Sequence, residues 1–224
     1  MVQILGWFAP ALLTSYLVAF LWFGRRAARA AGRNIWLFGT ATGRDRLAAA
    51  GFHAAFALAV IGSFFGAAFS PVPLFGQSGA GLLTSTLAIT GLALALAGGA
   101  LALAAQVTMG ASWRVGVKSG ASGPLVQIGL FRLSRNPTFL GQFMLLTGIV
   151  ATSPSFATIG AAGLFWLSAR AQIASEERFL QRELGEPYRE YLRTVPRWIG
   201  RAQGQVGVET GTSLRTANGT ERCK

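Results

Sequence analysis

The chain has 224 residues, of which 52% are hydrophobic and only 12% are charged. A soluble domain usually carries about 25% charged residues, so this composition argues against an ordinary soluble protein and indicates an integral membrane protein. The formal net charge is +12, and the basic residues lie in short loops and in the C-terminal part. Because such a distribution is how membrane topology is encoded, nucleic-acid binding is not expected. With one histidine and one cysteine, neither a metal site nor a disulfide within the chain is expected.

Apolar runs predict the membrane-embedded part of the chain. Three runs of about twenty residues or more come first, at about 4–24, 47–69 and 81–107. Two shorter runs, 138–151 and 156–169, flank the sequence Ser153-Pro154-Ser155 and predict a tight helical hairpin with Pro154 in its turn. The fold class predicted is therefore an all-α integral membrane protein with five transmembrane helices, the last two forming a short hairpin.

A charged segment follows the fifth apolar run. Its apolar and aromatic residues are spaced as in an amphipathic cytoplasmic helix over about 176–192, with a break near Gly185 and Pro187. Three regions are expected: a three-span membrane region (1–107), a functional core (108–199) and a disordered tail rich in Gly, Thr, Gln and Arg (200–224).

Loop charges predict the orientation. Six arginines and a single acid lie within 25–46, and 108–135 is also basic, whereas 70–80 and the Ser153 turn carry no charge. By the positive-inside rule the N-terminus is expected outside and the C-terminus in the cytoplasm. The Arg-, Ala- and Gly-rich composition hints at a bacterial protein, for which the inner membrane is the expected location.

Two polar features face each other across the predicted hairpin. Arg135-Asn136-Pro137 precedes the fourth span, where Pro137 suits a helix first turn and the free backbone N–H groups favour a polar or anionic ligand. Glu176 and Glu177 are the first acids after Asp45 and follow the fifth span. A pocket between the two features suits a zwitterionic or cationic cofactor. Taken alone, the glutamates also fit a solvated helix segment, and Asn136-Pro137 fits a plain turn or helix cap.

Several other residues have structural interpretations. Gly129 and Gly141 permit close backbone approach, and Gly98-Gly99 suggests close helix packing. Trp113 and Trp198 are interpreted as anchors at the membrane interface.

The ordered motifs of residues 108–199 resemble the isoprenylcysteine carboxyl methyltransferase family. They are Leu125-Val126, then Gly129, Phe131 and Arg135-Asn136-Pro137-Thr138-Phe139 with Gly141, then Glu176-Glu177, and finally Gly185-Glu186-Pro187-Tyr188, Tyr191 and Val195-Pro196. The resemblance implies an integral membrane methyltransferase that uses S-adenosylmethionine. The Gly-rich fingerprint of soluble dinucleotide-binding folds is absent from the sequence.

The resemblance also implies site residues. Expected cofactor contacts are Leu125, Val126, Phe131, Asn136, Pro137, Thr138, Phe139 and Glu176, with Arg135 and Glu177 completing the set. The expected catalytic residues are Asn136, Glu177 and Arg170, and the expected substrate contacts are Gln172 and Arg170.

The chain departs from the family pattern at four positions. Asn136 replaces a histidine and cannot titrate, and Phe131 and Phe139 replace tyrosines. Gln172 replaces an arginine that in the prenylcysteine enzymes is thought to hold the substrate carboxylate, and Arg170 is the nearby candidate for that role. These changes leave the acceptor open between a carboxylate, a thiol and a lipid amine, in each case on a hydrophobic or membrane-partitioned molecule.

A carboxylate or thiolate acceptor would need no general base, whereas a neutral amine or hydroxyl acceptor would need one, such as Glu177 or a tyrosine. Two other functional classes remain. Membrane sterol reductases, which use a nicotinamide cofactor, share a distantly related core, and a non-catalytic protein of the same fold is the second alternative. The oligomeric state does not follow from the sequence.

Overall fold

The computed structural model describes residues 2–32, 43–69, 81–113 and 125–199, and this part of the chain is helical without a β-strand. The predicted tail, 200–224, lies outside the described residues. Two short 3₁₀ helices, Gly110–Ser112 and Gly129–Arg132, precede the predicted hairpin. The α-helices are α1 (Val2–Ala31), α2 (Gly43–Phe69), α3 (Gly81–Met109), α4 (Pro137–Thr152), α5 (Phe156–Leu184) and α6 (Glu186–Thr194).

Helices α1, α2 and α3 are each long and apolar enough to cross a membrane. In length and composition they agree with the first three predicted spans, and the all-helical structure is consistent with a membrane protein. Helix α4 has 16 residues, fewer than the ~20 that a membrane crossing needs. The structure therefore supports three full spans among the described residues, and the five predicted spans are not confirmed.

The predicted hairpin is present and its turn is well defined. Helix α4 begins at Pro137 and ends at Thr152, and α5 begins at Phe156 after the Ser153-Pro154-Ser155 turn. Ser155 caps α5 in a capping box, in which the Thr158 backbone N–H donates to Ser155 Oγ at 3.1 Å and the Ser155 N–H donates to Thr158 Oγ1 at 3.0 Å. Two backbone donors are thereby satisfied at the tip of the hairpin.

The prediction of a separate amphipathic helix over 176–192 is wrong in one respect. Helix α5 continues without a break from the apolar run through both glutamates to Leu184. No Gly or Pro lies between Ala169 and Glu176, so the change from apolar to charged sequence alters the surroundings of the helix but does not end it. The break predicted near Gly185 is confirmed, because Gly185 has a φ of 62°, a conformation that favours glycine, and α6 starts directly after it.

Close packing holds the hairpin in the bundle. Helix α4 packs mainly on α3, and α5 packs mainly on α2. A Cβ built on Gly141 would lie 2.5 Å from the backbone nitrogen of Ala102 and 2.6 Å from the carbonyl oxygen of Gly98. Gly98 and Gly141 thus allow the backbones of α3 and α4 to touch, as small residues do in membrane helix pairs. Gly99, by contrast, makes only ordinary contacts.

Substituting Gly141 by alanine is expected to destabilise the protein by about 1–3 kcal/mol, because the new methyl group meets backbone atoms that cannot move aside. The matched control is Gly163→Ala, since Gly163 lies within α5 with nothing near its built Cβ. Thermal unfolding in detergent measures both variants. Equal midpoints for the two would contradict the packing described for α3 and α4.

Candidate active site

One cavity brings the predicted site residues together. It lies where α3 ends and α4 begins, against the second half of α5 and α6, with Phe20 of α1 and Phe52 of α2 in its wall. All ten positions expected to contact the cofactor line this cavity, and so does Gln172. Those ten are Leu125, Val126, Phe131, Arg135, Asn136, Pro137, Thr138, Phe139, Glu176 and Glu177. Arg170 is exposed and is not part of the lining, so the structure does not bring it into the cavity beside Gln172.

Asn136 stands at the entrance to α4. Its backbone N–H donates to Ser134 Oγ at 3.1 Å, and its side-chain Nδ2 donates to the carbonyl oxygen of Arg197 at 3.1 Å. The amide nitrogen therefore fixes the side chain against the C-terminal segment. The amide oxygen is a hydrogen-bond acceptor, and Asn136 lies in the cavity lining.

Helix α5 presents one face to the cavity. Gln172, Glu176, Leu180 and Leu184 are spaced by four residues and all line it, because such residues lie above one another on a helix. Glu176 is partly buried in this row. The row begins with the buried amide of Gln172, continues with the carboxylate of Glu176 and ends with two leucines. A bound molecule would therefore meet both polar and apolar groups along α5.

Glu177 has different partners from those that the sequence suggested. Its Oε1 accepts hydrogen bonds from Arg135 Nη2 at 3.0 Å and Arg197 Nε at 3.1 Å, and its Oε2 accepts from Arg197 Nη2. The Glu177 side chain is only 10% exposed. We call Arg135, Glu177 and Arg197 the arginine clamp. Guanidinium groups thus contact both oxygens of Glu177, which also lines the cavity, and the catalytic and cofactor roles expected of it stay predictions.

The arginine clamp attaches the end of α6 to the start of α4. Arg135 Nη1 donates to the carbonyl oxygens of Leu192 at 2.9 Å and Val195 at 3.0 Å, and the Arg135 backbone N–H donates to Pro196 at 2.9 Å. The hydrogen bond to Glu177 raises the pKa of Arg197. Arg197 thus remains charged at neutral pH, and these hydrogen bonds hold the chain after α6 at the edge of the site.

Two tyrosines of α6 complete this wall of the cavity. The Tyr191 hydroxyl donates to the carbonyl oxygen of Phe131 at 2.7 Å, and burial raises the pKa of Tyr191 to about 12. Burial also raises the pKa of Tyr188, and the charges of Glu177 and Glu176 raise it further. Both phenols therefore stay protonated at neutral pH and are poor candidates for a general base.

The variant Tyr191→Phe is expected to lose about 1–3 kcal/mol of stability, because the buried Phe131 carbonyl loses its hydrogen bond. The pH dependence follows from the same residue. Its stabilising contribution is complete below a pH of about 10, the ordinary tyrosine pKa, and is lost as the pH rises through the raised value. Thermal midpoints measured between neutral and strongly alkaline pH should fall less steeply for the variant. Identical curves would contradict the docking of α6 described above.

Other lining residues were not expected from the sequence. Phe20 and Phe52 lie inside long apolar helices, where nothing in the pattern distinguishes a cavity residue from a core residue. Trp113, expected at the membrane interface, is 5% exposed in the cavity wall. Trp198 stacks on Trp166 with ring centroids 5.0 Å apart, so it packs against α5 beside the site. Arg197 directly follows the Val195-Pro196 motif, but the sequence did not predict its partner.

Comparisons with known proteins show what this chain is similar to. No curated protein and no solved structure matches the chain. Residues 86–187 match the sequence model of the family described as phospholipid methyltransferase. That segment contains most of α3, all of α4 and α5, and both cavity motifs. The matched family consists of integral membrane methyltransferases related to the isoprenylcysteine carboxyl methyltransferases, which the motifs of the sequence resemble.

Proposed function

We propose that the protein transfers a methyl group from S-adenosylmethionine to a hydrophobic, membrane-partitioned acceptor. The observation that carries this proposal is the meeting of two motifs, around Asn136 and around Glu176, in one cavity. The motifs lie 40 residues apart in the sequence, and the α4–α5 hairpin returns the chain to bring them together. The family match adds independent support for methyltransferase chemistry.

The cavity residues fit S-adenosylmethionine chemically. This cofactor carries an ammonium group, a carboxylate, a sulfonium and an adenosine. Glu176 offers a negative charge to a cationic group, and the first-turn N–H groups of α4 with the Asn136 side chain offer hydrogen bonds. Leu125, Val126 and Phe131 offer an apolar surface for the adenine ring. When bound, the cofactor supplies an electrophilic methyl group on positively charged sulfur.

The charges of the cavity favour an acceptor group that is not a carboxylate. Gln172 lies where a carboxylate-binding arginine would be needed, and Arg170 lies outside the cavity. The guanidinium of Arg135 is engaged by Glu177 and two carbonyl groups. Glu176 would also repel an anionic acceptor. An amine or a thiol on a lipid-soluble molecule is the better acceptor, and a lipid amine is the first to test because the matched family is described by phospholipids.

The residues of the site can align the reactants and exclude water, but they offer no evident base. Asn136 does not titrate, Glu177 is held by two arginines, and Tyr188 and Tyr191 have raised pKa values. An uncharged amine suits this site because its lone pair can attack before any proton is removed. Alignment of the reactants lowers the barrier by up to about 7–11 kcal/mol in favourable cases. The buried walls formed by α5 and α6 would hold the reactants in such an alignment.

We also propose that the cavity faces the cytoplasm of a bacterial cell. Arg25, Arg26 and Arg29 end α1, and Arg44 and Arg46 flank Asp45 at the start of α2. The hydrogen bond from Ser175 Oγ to Asp45 Oδ2, at 2.9 Å, joins this basic end to the cavity-lining part of α5. Positive residues favour the cytoplasmic side, which would make S-adenosylmethionine accessible to the site.

Calorimetry with purified protein tests the proposed function. Binding of S-adenosylmethionine and its demethylated product, with no binding of a reduced nicotinamide nucleotide, is expected. Isotope-labelled methyl donor incubated with protein and membrane lipid should then label a lipid amine, and Asn136→Ala should lower the rate. Binding of the nicotinamide nucleotide alone would support a reductase. Binding of none of the three ligands would support a non-catalytic protein.

A further inference from the structure

Three cavity-lining residues carry a buried polar atom that makes no hydrogen bond among the described residues, and two of them, Trp113 and Gln172, lie outside the arginine clamp. Trp113 is 5% exposed and Gln172 is 7% exposed, and both line the cavity. The indole Nε1 of Trp113 and the amide Oε1 of Gln172 are fully buried and make no hydrogen bond within the described part of the chain. Buried donors and acceptors without partners are uncommon in proteins because they have lost their hydration without compensation. A ligand that pairs with both groups would supply this compensation.

The surroundings of these two groups are aromatic. Trp113 follows the 3₁₀ helix after α3, and its ring meets Phe20 of α1 edge-on with centroids 5.8 Å apart. Gln172 belongs to α5, which packs on α2, and Phe52 of α2 also lines the cavity. We call Phe20, Phe52, Trp113 and Gln172 the aromatic–amide subsite. None of these four side chains is ionisable.

The aromatic–amide subsite adjoins the expected cofactor contacts, since Phe52 meets one of them, Phe139, edge-on with ring centroids 6.4 Å apart. The expected cofactor contacts come from residues 125–139 and from the glutamates, whereas Phe20 and Phe52 precede the segment that matches the family model. Two walls of the subsite are thus built by the N-terminal helices. A site made by the part of the chain outside the family match is well placed to determine which acceptor this protein takes.

We propose that the aromatic–amide subsite binds the methyl-accepting end of the substrate and selects an uncharged amine that donates an N–H to Gln172 and lies beside a substrate atom that accepts from Trp113. This inference rests on the proposed function. The oxygen of Gln172 requires a hydrogen, which the amine supplies while keeping its lone pair for the methyl group, and the indole N–H of Trp113 can only donate, so it requires a lone pair on a neighbouring substrate atom such as an oxygen. A carboxylate has no hydrogen for Gln172 and would enter an apolar chamber without a counter-charge, which is unfavourable.

Matched long-chain compounds that carry an ether oxygen beside a terminal amine, thiol or carboxylate test this selection. Wild-type protein in lipid nanodiscs, with labelled S-adenosylmethionine, is expected to methylate the amine in preference to the carboxylate. Trp113→Phe keeps a ring but removes the N–H, and Gln172→Leu keeps the size but removes the amide. Each should lower kcat/KM for the preferred compound about tenfold, the effect of one hydrogen bond, while calorimetry shows unchanged cofactor affinity.

Two further variants make the test specific. Trp22→Phe is the matched control, because Trp22 is 54% exposed on α1 and lies outside the cavity lining, so its kcat/KM should equal that of wild type. Gln172→Arg introduces a carboxylate-binding group and should shift the preference toward the carboxylate compound. Together these variants separate hydrogen bonding at the subsite from a general effect of altering tryptophan or glutamine.

The failures of the two proposals are distinguishable. If wild-type protein does not bind S-adenosylmethionine, the proposed function is overturned and the inference falls with it. If the cofactor binds but wild type prefers the carboxylate or methylates none of the three compounds, the inference alone is overturned. The same conclusion follows if Trp113→Phe and Gln172→Leu keep the full kcat/KM.

Discussion

Replacing Glu177 with alanine is expected to destabilise the protein by about 3 kcal/mol. Removing one partner of a buried ion pair costs about 3–5 kcal/mol, because the remaining charge loses its compensation. The lower end of this range applies because the side chain of Arg197 is 48% exposed and can be hydrated again, whereas that of Arg135 is only 11% exposed. Thermal unfolding in detergent measures the loss. Limited proteolysis should also cut more rapidly within α6, whose attachment depends on Arg135.

Glu186 provides a control for this prediction within the same region. It forms ion pairs with Arg189 and Arg193, but its side chain is 63% exposed and those of both arginines are more than half exposed. Exposed ion pairs contribute only about 0–1 kcal/mol, so Glu186→Ala should unfold close to the wild-type temperature. If Glu177→Ala behaved like Glu186→Ala, the arginine clamp would not hold the end of α6.

Replacing Glu176 with glutamine is expected to weaken binding of S-adenosylmethionine by about ten- to a hundredfold. A hydrogen bond to a charged group contributes about 1.5–3 kcal/mol, and the substitution removes the charge but keeps the shape. The thermal midpoint of the protein without ligand should change little. Calorimetry measures the affinity, and single-turnover transfer of labelled methyl groups measures the consequence for the reaction.

Glu183→Gln is the matched control for the Glu176 variant. Glu183 lies two turns further along α5, is exposed, and is not part of the cavity lining. Its substitution removes the same charge from the same helix, so any long-range electrostatic effect on a cationic ligand is common to both variants. Equal affinities for the Glu176 and Glu183 variants would remove Glu176 from the proposed cofactor site.

These two predictions assign different tasks to neighbouring glutamates. Adjacent residues on a helix point about 100° apart, so Glu176 and Glu177 cannot face the same partner in the same way. The structure directs Glu176 along the cavity-lining row of α5 and Glu177 into the arginine clamp. The sequence predicted a site at this pair but could not assign separate partners to the two glutamates. The partner of Glu177, Arg197, lies 20 residues further along the chain.

Much of the helix arrangement could be predicted because its signals are local. The length of the apolar runs predicted the first three long apolar helices. Pro154 and Gly185 marked the breaks between α4 and α5 and between α5 and α6. The continuity of α5 past Ala169 was not predicted, because the change from apolar to charged residues was interpreted as the end of one helix and the start of another. Burial of Trp113 was missed because the same residue type also suits a membrane interface, and only the packing of Phe20 against its ring distinguishes the two environments.

Positions in the candidate site were identified through the order of the motifs, and the structure brings those of the cofactor set to one cavity. Arg170 was a poorer prediction because its nearness in sequence to Gln172 does not place it on the same helix face. Phe20 and Phe52 could not be found at all, since an apolar helix carries the same residue types on every side. Their role depends on tertiary packing alone.

The boundaries of the family match have a practical consequence for building chimeric proteins. The match ends at residue 187, before Tyr188, Tyr191 and Arg197, and it begins after Phe20 and Phe52. A graft cut at those boundaries would carry the cofactor motifs but would leave behind residues on both sides that close the cavity. The smallest transferable unit therefore runs through residue 199, and exchanging α1 and α2 separately offers a way to alter acceptor choice while keeping the donor.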